Sequence, residues 1–404
     1  MSKTLYVTRN GLLEPLGQSQ VFAYLRRLSS DYEITLITYE KPEDWANTNR
    51  VAHARAECEA HDIRWLSQHF RPGPRIIAPA LSMLRMIWLV WREVRAGRVE
   101  LIHARSYIPA AVALVVHRLT GAPFIFDMRA LWPEELITAG RLKRGSMLHK
   151  AMLVVERSCL DRSAAVISLT HAAVVYLKRI YPAALGGQRV EVIPTCADLD
   201  RFMPSLGRPE GRVVHGCIGT ILSGWFRTDW LSAWLLTVAA EDPNATFDIV
   251  TRDDADLVRT AIDPTSALGD RLSVGAKQPE EMPEAVSGHS VSVMFFTDGL
   301  SKLGSAPTRL AEVLGSGLPV VVNEGVGDVA DIVRGNRVGV VLDGPKPIQV
   351  KTALDELKIL MQDPDLARRC RDTSEALFSL EVGAEAYRSV YQAILNGENN
   401  VCAA

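Results

Sequence analysis

Residues 302–312 read KLGSAPTRLAE and lead into an apolar run, LPVVVN, at 318–323. A lysine, a small-residue turn, a proline, an arginine and a glutamate in that order suit the capture of an anion that has hydroxyls beside it. Pro307 fits the first turn of a helix, where its missing N–H would be unpaired in any case. The turn before it, with Gly304 and Ser305, offers backbone N–H donors, Lys302 adds charge, and Thr308 and Arg309 open the helix. Glu312 lies on the same helix, and a carboxylate can accept from both hydroxyls of a ribose diol. Its neighbours Leu310, Val313 and Leu314 are apolar, which sets Glu312 apart from an ordinary solvated helix residue.

Other residues with chemical reach stand just after short apolar runs. The stretch TRNGLLEPLGQSQ (8–20) frames a loop with Gly11 and Gly17 and delivers the chain to a helix beginning near Gln18. Glycines there permit close backbone approach to an anion. Arg105 and Ser106 follow one run, and Arg129, Glu134 and Glu135 follow the next; arginine is a natural fork for phosphate or sugar oxygens. Further along, Gly219 and Thr220 follow VVHGCIG, and Arg252 follows TFDIVT.

The elements that must position these residues alternate from the start. Strand patterns at 5–8, 33–39, 99–104, 123–128, 164–170 and 190–194 are separated by helical patterns at 18–30, near 80–97, at 108–120 and near 146–162. Alternation of this kind predicts a parallel sheet covered on both faces. The stretch RFMPSLGRPEGR (201–212) has no apolar period and reads as a linker. A second set of strands follows at 213–219, 246–251, 271–276, 291–296, 318–323 and 338–343, and helical patterns fill 347–397. The fold class is therefore α/β: two Rossmann-like, doubly wound domains expected to face a central cleft, with ligands at the carboxyl ends of the strands.

Composition narrows the partners. The 404 residues carry a formal charge of −2, so nothing in bulk electrostatics predicts nucleic-acid binding, and an anionic ligand must be caught locally. The six cysteines form no C-x-x-C pair and no cluster with zinc spacing, which reads as reduced thiols in the cytoplasm and no metal site. The N-terminus, MSKTLYVTRNG, lacks the apolar core of a signal peptide. The most apolar stretch, 76–91, is interrupted by Pro79 and Arg85 and is too short to span a bilayer. The wider segment 71–98 sets Arg71, Arg75, Arg85, Arg92, Arg95 and Arg98 around Ile, Leu, Met and Trp, a basic amphipathic pattern that predicts contact with an anionic inner leaflet.

Together, GLLEPLGQSQVFAYLRRL, IHARSYIPA, FIFDMRALWPEE, VISLTHAAVVYLKRIYP, VEVIPTCADLDRF and SAPTRLAEVLGSGLPVVVNEGVGD resemble the family 4 retaining glycosyltransferases of the GT-B fold. The resemblance is to the bacterial branch that builds exopolysaccharide, capsule or lipopolysaccharide. It covers nearly the whole chain in order. The C-terminal block and the VIP-x-x-x-D-x-x-x-F run are its most specific parts.

The resemblance implies an acceptor-binding domain over 1–203, a nucleotide-sugar-binding domain over 212–380, and a helix over 381–404 that packs back on the first domain. The co-substrate would be a UDP- or GDP-linked sugar, with no other cofactor. Its ribose would be held by Glu312, its base by the backbone of Val274, Gly275 and Lys277, and its diphosphate and sugar by Gly17, Gly219, Thr220, Arg252, Gly304, Ser305, Pro307 and Thr308. A glycan or lipid-linked acceptor would meet Gln18, Arg105, Ser106 and Glu134. Catalysis would fall to Arg129, Asp127, Lys302 and Arg309.

Three positions depart from the family pattern. Gly304 stands where a second glutamate is common, GTILSGWFRTDW lacks the usual Arg and Lys pair, and Arg129 replaces a histidine. Phosphate charge would then be met by Lys302, Arg309, Arg252 or Arg227. Two other functions share the architecture: a nucleotide-sugar 2-epimerase, and a catalytically silent partner subunit, which Gly304 favours.

Overall fold

The computed structural model describes residues 1–69, 77–97, 99–204 and 212–397. Arg71, Arg75, Arg98, the linker segment 205–211 and Cys402 lie outside the described residues. The chain divides into two compact units: Met1–Pro194 together with the chain from Gly383 on, and Thr195–Val382.

The first unit is built on a parallel sheet of seven strands: β1 (Ser2–Val7), β2 (Tyr32–Glu40), β3 (Arg64–His69), β4 (Leu101–Arg105), β5 (Phe124–Met128), β6 (Ala165–Ser168) and β7 (Val190–Val192). Their order across the sheet is β3-β2-β1-β4-β5-β6-β7. The chain lays strands outward from β1 in one direction, then returns to place β4 on the other side of β1, with Thr4 paired to both Ile34 and Leu101. Loops after β1 and β4 thus diverge at the topological switch, the place where doubly wound sheets leave room for a ligand.

The second unit repeats the plan with six parallel strands: β8 (Val214–Ile218), β9 (Thr246–Val250), β10 (Leu272–Gly275), β11 (Val291–Met294), β12 (Val320–Asn323) and β13 (Gly339–Leu342), in the order β10-β9-β8-β11-β12-β13. Its switch lies between β8 and β11. One face buries Leu231, Trp234 and Leu235 from helix Thr228–Glu241 against Phe247 and Ile249. The other face buries Leu310, Val313 and Leu314 from helix Thr308–Gly315 against Val320 and Val322. Both faces are apolar, so the strands read as continuous Val and Ile runs rather than alternating ones.

Two elements escape the sequence pattern. Strand β3, RWLSQH, is an edge strand only half buried along its length, so it needs neither alternation nor a β-branched run. Helix Thr48–Ala60 before it buries only Ala54 and Cys58 and shows almost no apolar stripe. The helix expected from Gln18 begins instead as a three-residue turn, Pro15–Gly17, passes through a π turn at Gln18–Phe22, and becomes regular only over Ala23–Leu28.

The last helix, Leu380–Leu395, gives its buried Ala384, Tyr387, Val390 and Tyr391 to the first unit. Tyr391 packs edge-on against Tyr32, and Tyr387 against Tyr24. Arg388 donates from Nε to Asp31 at 2.9 Å, which fixes the helix at the start of β2.

Candidate active site

In the second unit the loop after β11 is pinned from both sides. Asn323, buried at the end of β12, accepts from the Phe296 N–H at 2.8 Å and donates to the Phe296 carbonyl at 2.9 Å. The Thr297 N–H donates to the Trp225 carbonyl in the loop after β8 at 2.9 Å. Within a short helix, Leu300–Leu303, the Lys302 carbonyl accepts from both Ser305 N–H, 3.0 Å, and Gly327 N–H, 2.9 Å. The turn that opens helix Thr308–Gly315 is therefore fixed before any ligand arrives. Neither Asn323 nor Trp225 stands out in the sequence, because a lone asparagine after a strand and a lone tryptophan in a loop have many uses.

Pro307 is not in the first turn of that helix, as expected, but caps it with φ −65° and ψ 122°, so the first helical N–H groups belong to Thr308 onward. Gly304 has φ −92° and ψ 13°, a conformation open to any residue. Its glycine is not there to satisfy the backbone. Lys302 is nearly buried, with its Nζ 4.0 Å from the centre of the Trp225 ring, a cation–π contact that holds the ammonium group beside the turn.

Glu312 and Arg309, expected to act separately on ribose and on phosphate, form an ion pair with each other. Burial pushes the Glu312 carboxyl up, opposed by the charges of Arg309 and Arg201. A group poised this way changes ionisation readily when its surroundings change. Of the remaining cations, Arg227 is bound by Asp229 through two contacts of 3.0 and 2.9 Å, and Arg252 is exposed. The loop after β8 is tied to the loop after β9 by the Leu222 N–H on Asp253, 2.9 Å. There Gly219 donates its N–H to the Val250 carbonyl at 3.1 Å, and Thr220 is exposed. At the end of β10, Val274 is half-buried and Gly275 and Lys277 are exposed, with the Gly275 carbonyl taken by the Thr251 N–H.

In the first unit the glycine loop after β1 is already occupied by an anion of its own. Glu40, fully buried at the end of β2, accepts from the Leu12 and Leu13 N–H groups at 2.8 and 3.2 Å and from the Thr38 hydroxyl. The donors that seemed available to a ligand are thus used to shape the loop. Gly17 serves contact rather than anion approach: a Cβ there would lie 1.9 Å from the Gly11 carbonyl oxygen. Gln18 reaches back to the Leu12 carbonyl at 2.8 Å.

Arg129 and Asp127 sit in a buried cluster with the last helix. The Asp127 Oδ2 accepts from the Tyr387 hydroxyl at 3.2 Å and lies 3.2 Å from His103 Nε2, while Arg129 meets its Oδ1 at 3.5 Å. His103 closes the cluster through its Nδ1, 2.7 Å from the Tyr391 hydroxyl. Burial alone would raise the Asp127 carboxyl; Arg129, His103 and Arg105 overcome it and hold the group below the usual carboxylate range. Burial lowers His103 in spite of the Asp127 contact, which leaves the imidazole neutral. This arrangement locks the chain's return to the first unit. Asp127 has no exposed oxygen with which to reach a substrate.

Arg105 differs from its neighbours. It is 3% exposed, and its Nε has no hydrogen-bond partner. The positive charges of Arg105 and Arg129 exceed the single negative charge of Asp127, so the cluster carries a surplus cation at the end of β4. Ser106, next in sequence, takes φ 76°, a strained value for a residue with a side chain. Glu134, the expected acceptor contact, is buried and bound through both oxygens by Arg144. Among the described residues no group of three or more His, Cys, Asp or Glu could hold a metal ion.

Residues 19–196 match the model of a glycosyl transferase 4-like domain. No curated protein matches the sequence. Among solved structures the chain is similar to a glycosyltransferase from Rickettsia africae, with 12% identity over 98% of each chain and a TM-score of 0.70. It is similar to HepE of Anabaena in complex with UDP-glucose, with 14% identity over 98% of this chain and 100% of that one and a TM-score of 0.66. It is also similar to a UDP-N-acetylglucosamine 2-epimerase-like protein of Listeria monocytogenes, with 10% identity over the full length of both and a TM-score of 0.60. At these identities the likeness is one of fold.

Proposed function

We propose that this chain, whose residues 19–196 match a glycosyl transferase 4-like domain and which has the GT-B fold, moves a sugar, with retention, from a nucleoside-diphosphate sugar to a glycan or lipid-linked acceptor in cell-surface polysaccharide biosynthesis. The observation that carries the reading is the fixed turn of residues 304–308, with Lys302 beside it and Glu312 one turn into its helix. Helix N–H groups and an ammonium meet a diphosphate, and a carboxylate meets a ribose.

In this reading the bond between the sugar's anomeric carbon and the diphosphate oxygen breaks, and its electron pair stays on that oxygen. The acceptor hydroxyl bonds to the same face of the anomeric carbon and gives its proton to the leaving oxygen. The protein's share is to hold the two reactants and to meet the growing phosphate charge with donors already in place. Arg105, buried with its Nε unpartnered, suits a polar or anionic group of the acceptor. The nucleotide sugar in the HepE complex supports a UDP-linked donor.

The fold alone does not separate this activity from epimerisation, since a 2-epimerase-like protein shares it; the match of the first unit to a transferase domain favours transfer. The experiment is incubation with labelled UDP- and GDP-sugars, with and without a lipid extract of the source cells. Transfer predicts label in the lipid or glycan fraction. Nucleotide release that is indifferent to the extract would indicate epimerisation, and no turnover with either donor would indicate a silent partner subunit.

A further inference from the structure

Helix Ile77–Arg95 of the first unit has two apolar faces. One packs inward through Met86, Leu89 and Val90, with Glu93 buried beside them and held by Arg64 and Arg92. The other points outward: Leu81, Leu84, Trp88 and Trp91 are 60, 62, 54 and 36% exposed. Their spacing of three, four and three residues lines them up as one stripe along the helix. Scattered exposed apolar residues need no explanation, but four large ones in a single stripe do.

Charge indicates what covers the stripe. Arg85, Arg92 and Arg95 are exposed along it, and the only acid in residues 77–95 is the buried Glu93. Among the described residues, every exposed side chain of this helix is therefore cationic or apolar. The Arg92 guanidinium lies 5.0 Å from the centre of the Trp88 ring, so charge and aromatic surface are presented together. Among the described residues no helix is long and apolar enough to cross a membrane. We propose that helix Ile77–Arg95 lies along an anionic lipid bilayer, with Leu81, Leu84, Trp88 and Trp91 sunk at the headgroup boundary and Arg85 and Arg95 on lipid phosphates. The inference goes beyond the sugar-transfer reading and does not depend on it.

Flotation of the full chain with phosphatidylcholine vesicles, with and without phosphatidylglycerol, tests it without any measurement of turnover. The chain should float with the anionic vesicles at low salt and be released at high salt. Leu84→Ser/Trp88→Ser should weaken binding about tenfold or more, and Arg85→Gln/Arg95→Gln about fivefold per arginine. All four side chains are exposed, so both variants should keep the thermal melt of the parent chain, and circular dichroism checks this. Failure to float at low salt overturns the proposal, as does equal binding by the parent and both variants. A chain that ignores vesicles but dimerises, and loses the dimer in Leu84→Ser/Trp88→Ser, would assign the stripe to a second copy instead.

Discussion

Glu312 and Arg309 show how one side chain sets the working range of another. Burial raises the Glu312 carboxyl, and the Arg309 charge works against that rise. Arg309→Ala removes the opposing charge, so Glu312 should take up its proton at a higher pH than in the parent chain. If the carboxylate grips the ribose, donor affinity in Arg309→Ala should fall as pH is lowered, over a range where the parent is still flat. Donor dissociation constants measured between pH 5 and 8 check this; parallel profiles would detach Glu312 from the nucleotide. Asp127 makes the opposite case. Its carboxyl is held below the usual range, so its contribution to stability is complete above the unfolded value of about 4 and is lost as pH falls through the folded one. His103, kept neutral by burial, acts in the same direction from about pH 6.5 downward, because the unfolded chain takes up a proton that the folded one refuses. Asp127→Asn leaves the half-buried Arg129 without its counter-charge and should cost about 3 kcal/mol at neutral pH. The gap between mutant and parent should narrow in denaturant melts below about pH 4.

At the scale of elements, the loop after β1 separates two explanations for its glycines. The sequence suggests an anion cradle, whereas the structure fills the Leu12 and Leu13 N–H groups with Glu40 and sets Gly17 against the Gly11 carbonyl. Gly17→Ala should then destabilise the first unit by about 1–3 kcal/mol through overpacking, visible in a denaturant melt with no nucleotide present. A melt identical to the parent, with donor binding lost, would restore the cradle. The strand runs were legible because each is apolar on both sides, as a parallel sheet requires. Strand β3 and helix Thr48–Ala60 were not, because one lies at an edge and the other buries little. The chemistry-bearing loops were also legible, since they follow strands at the two switch points. Which of their side chains are free was not, because that depends on partners far away in sequence. Glu40 lies 28 residues from Leu12, Tyr387 lies 260 from Asp127, and the Arg129 expected to stand open is tied to both members of that second pair.

For the whole molecule, the plan of two parallel sheets of seven and six strands follows from alternation of apolar runs and helices, and the solved structures it resembles share it. The specific chemistry rests on fewer residues: the turn 304–308, Lys302 on Trp225, and Glu312. Isothermal titration of the parent chain and Glu312→Gln with UDP and with GDP addresses them most directly. One of the two nucleotides should bind the parent. Glu312→Gln should weaken that binding by about 1.5–3 kcal/mol, the worth of a hydrogen bond to a charged group, while leaving the melt of the free protein in place. Binding of neither nucleotide, or equal affinity in parent and mutant, would contradict a ribose grip by Glu312.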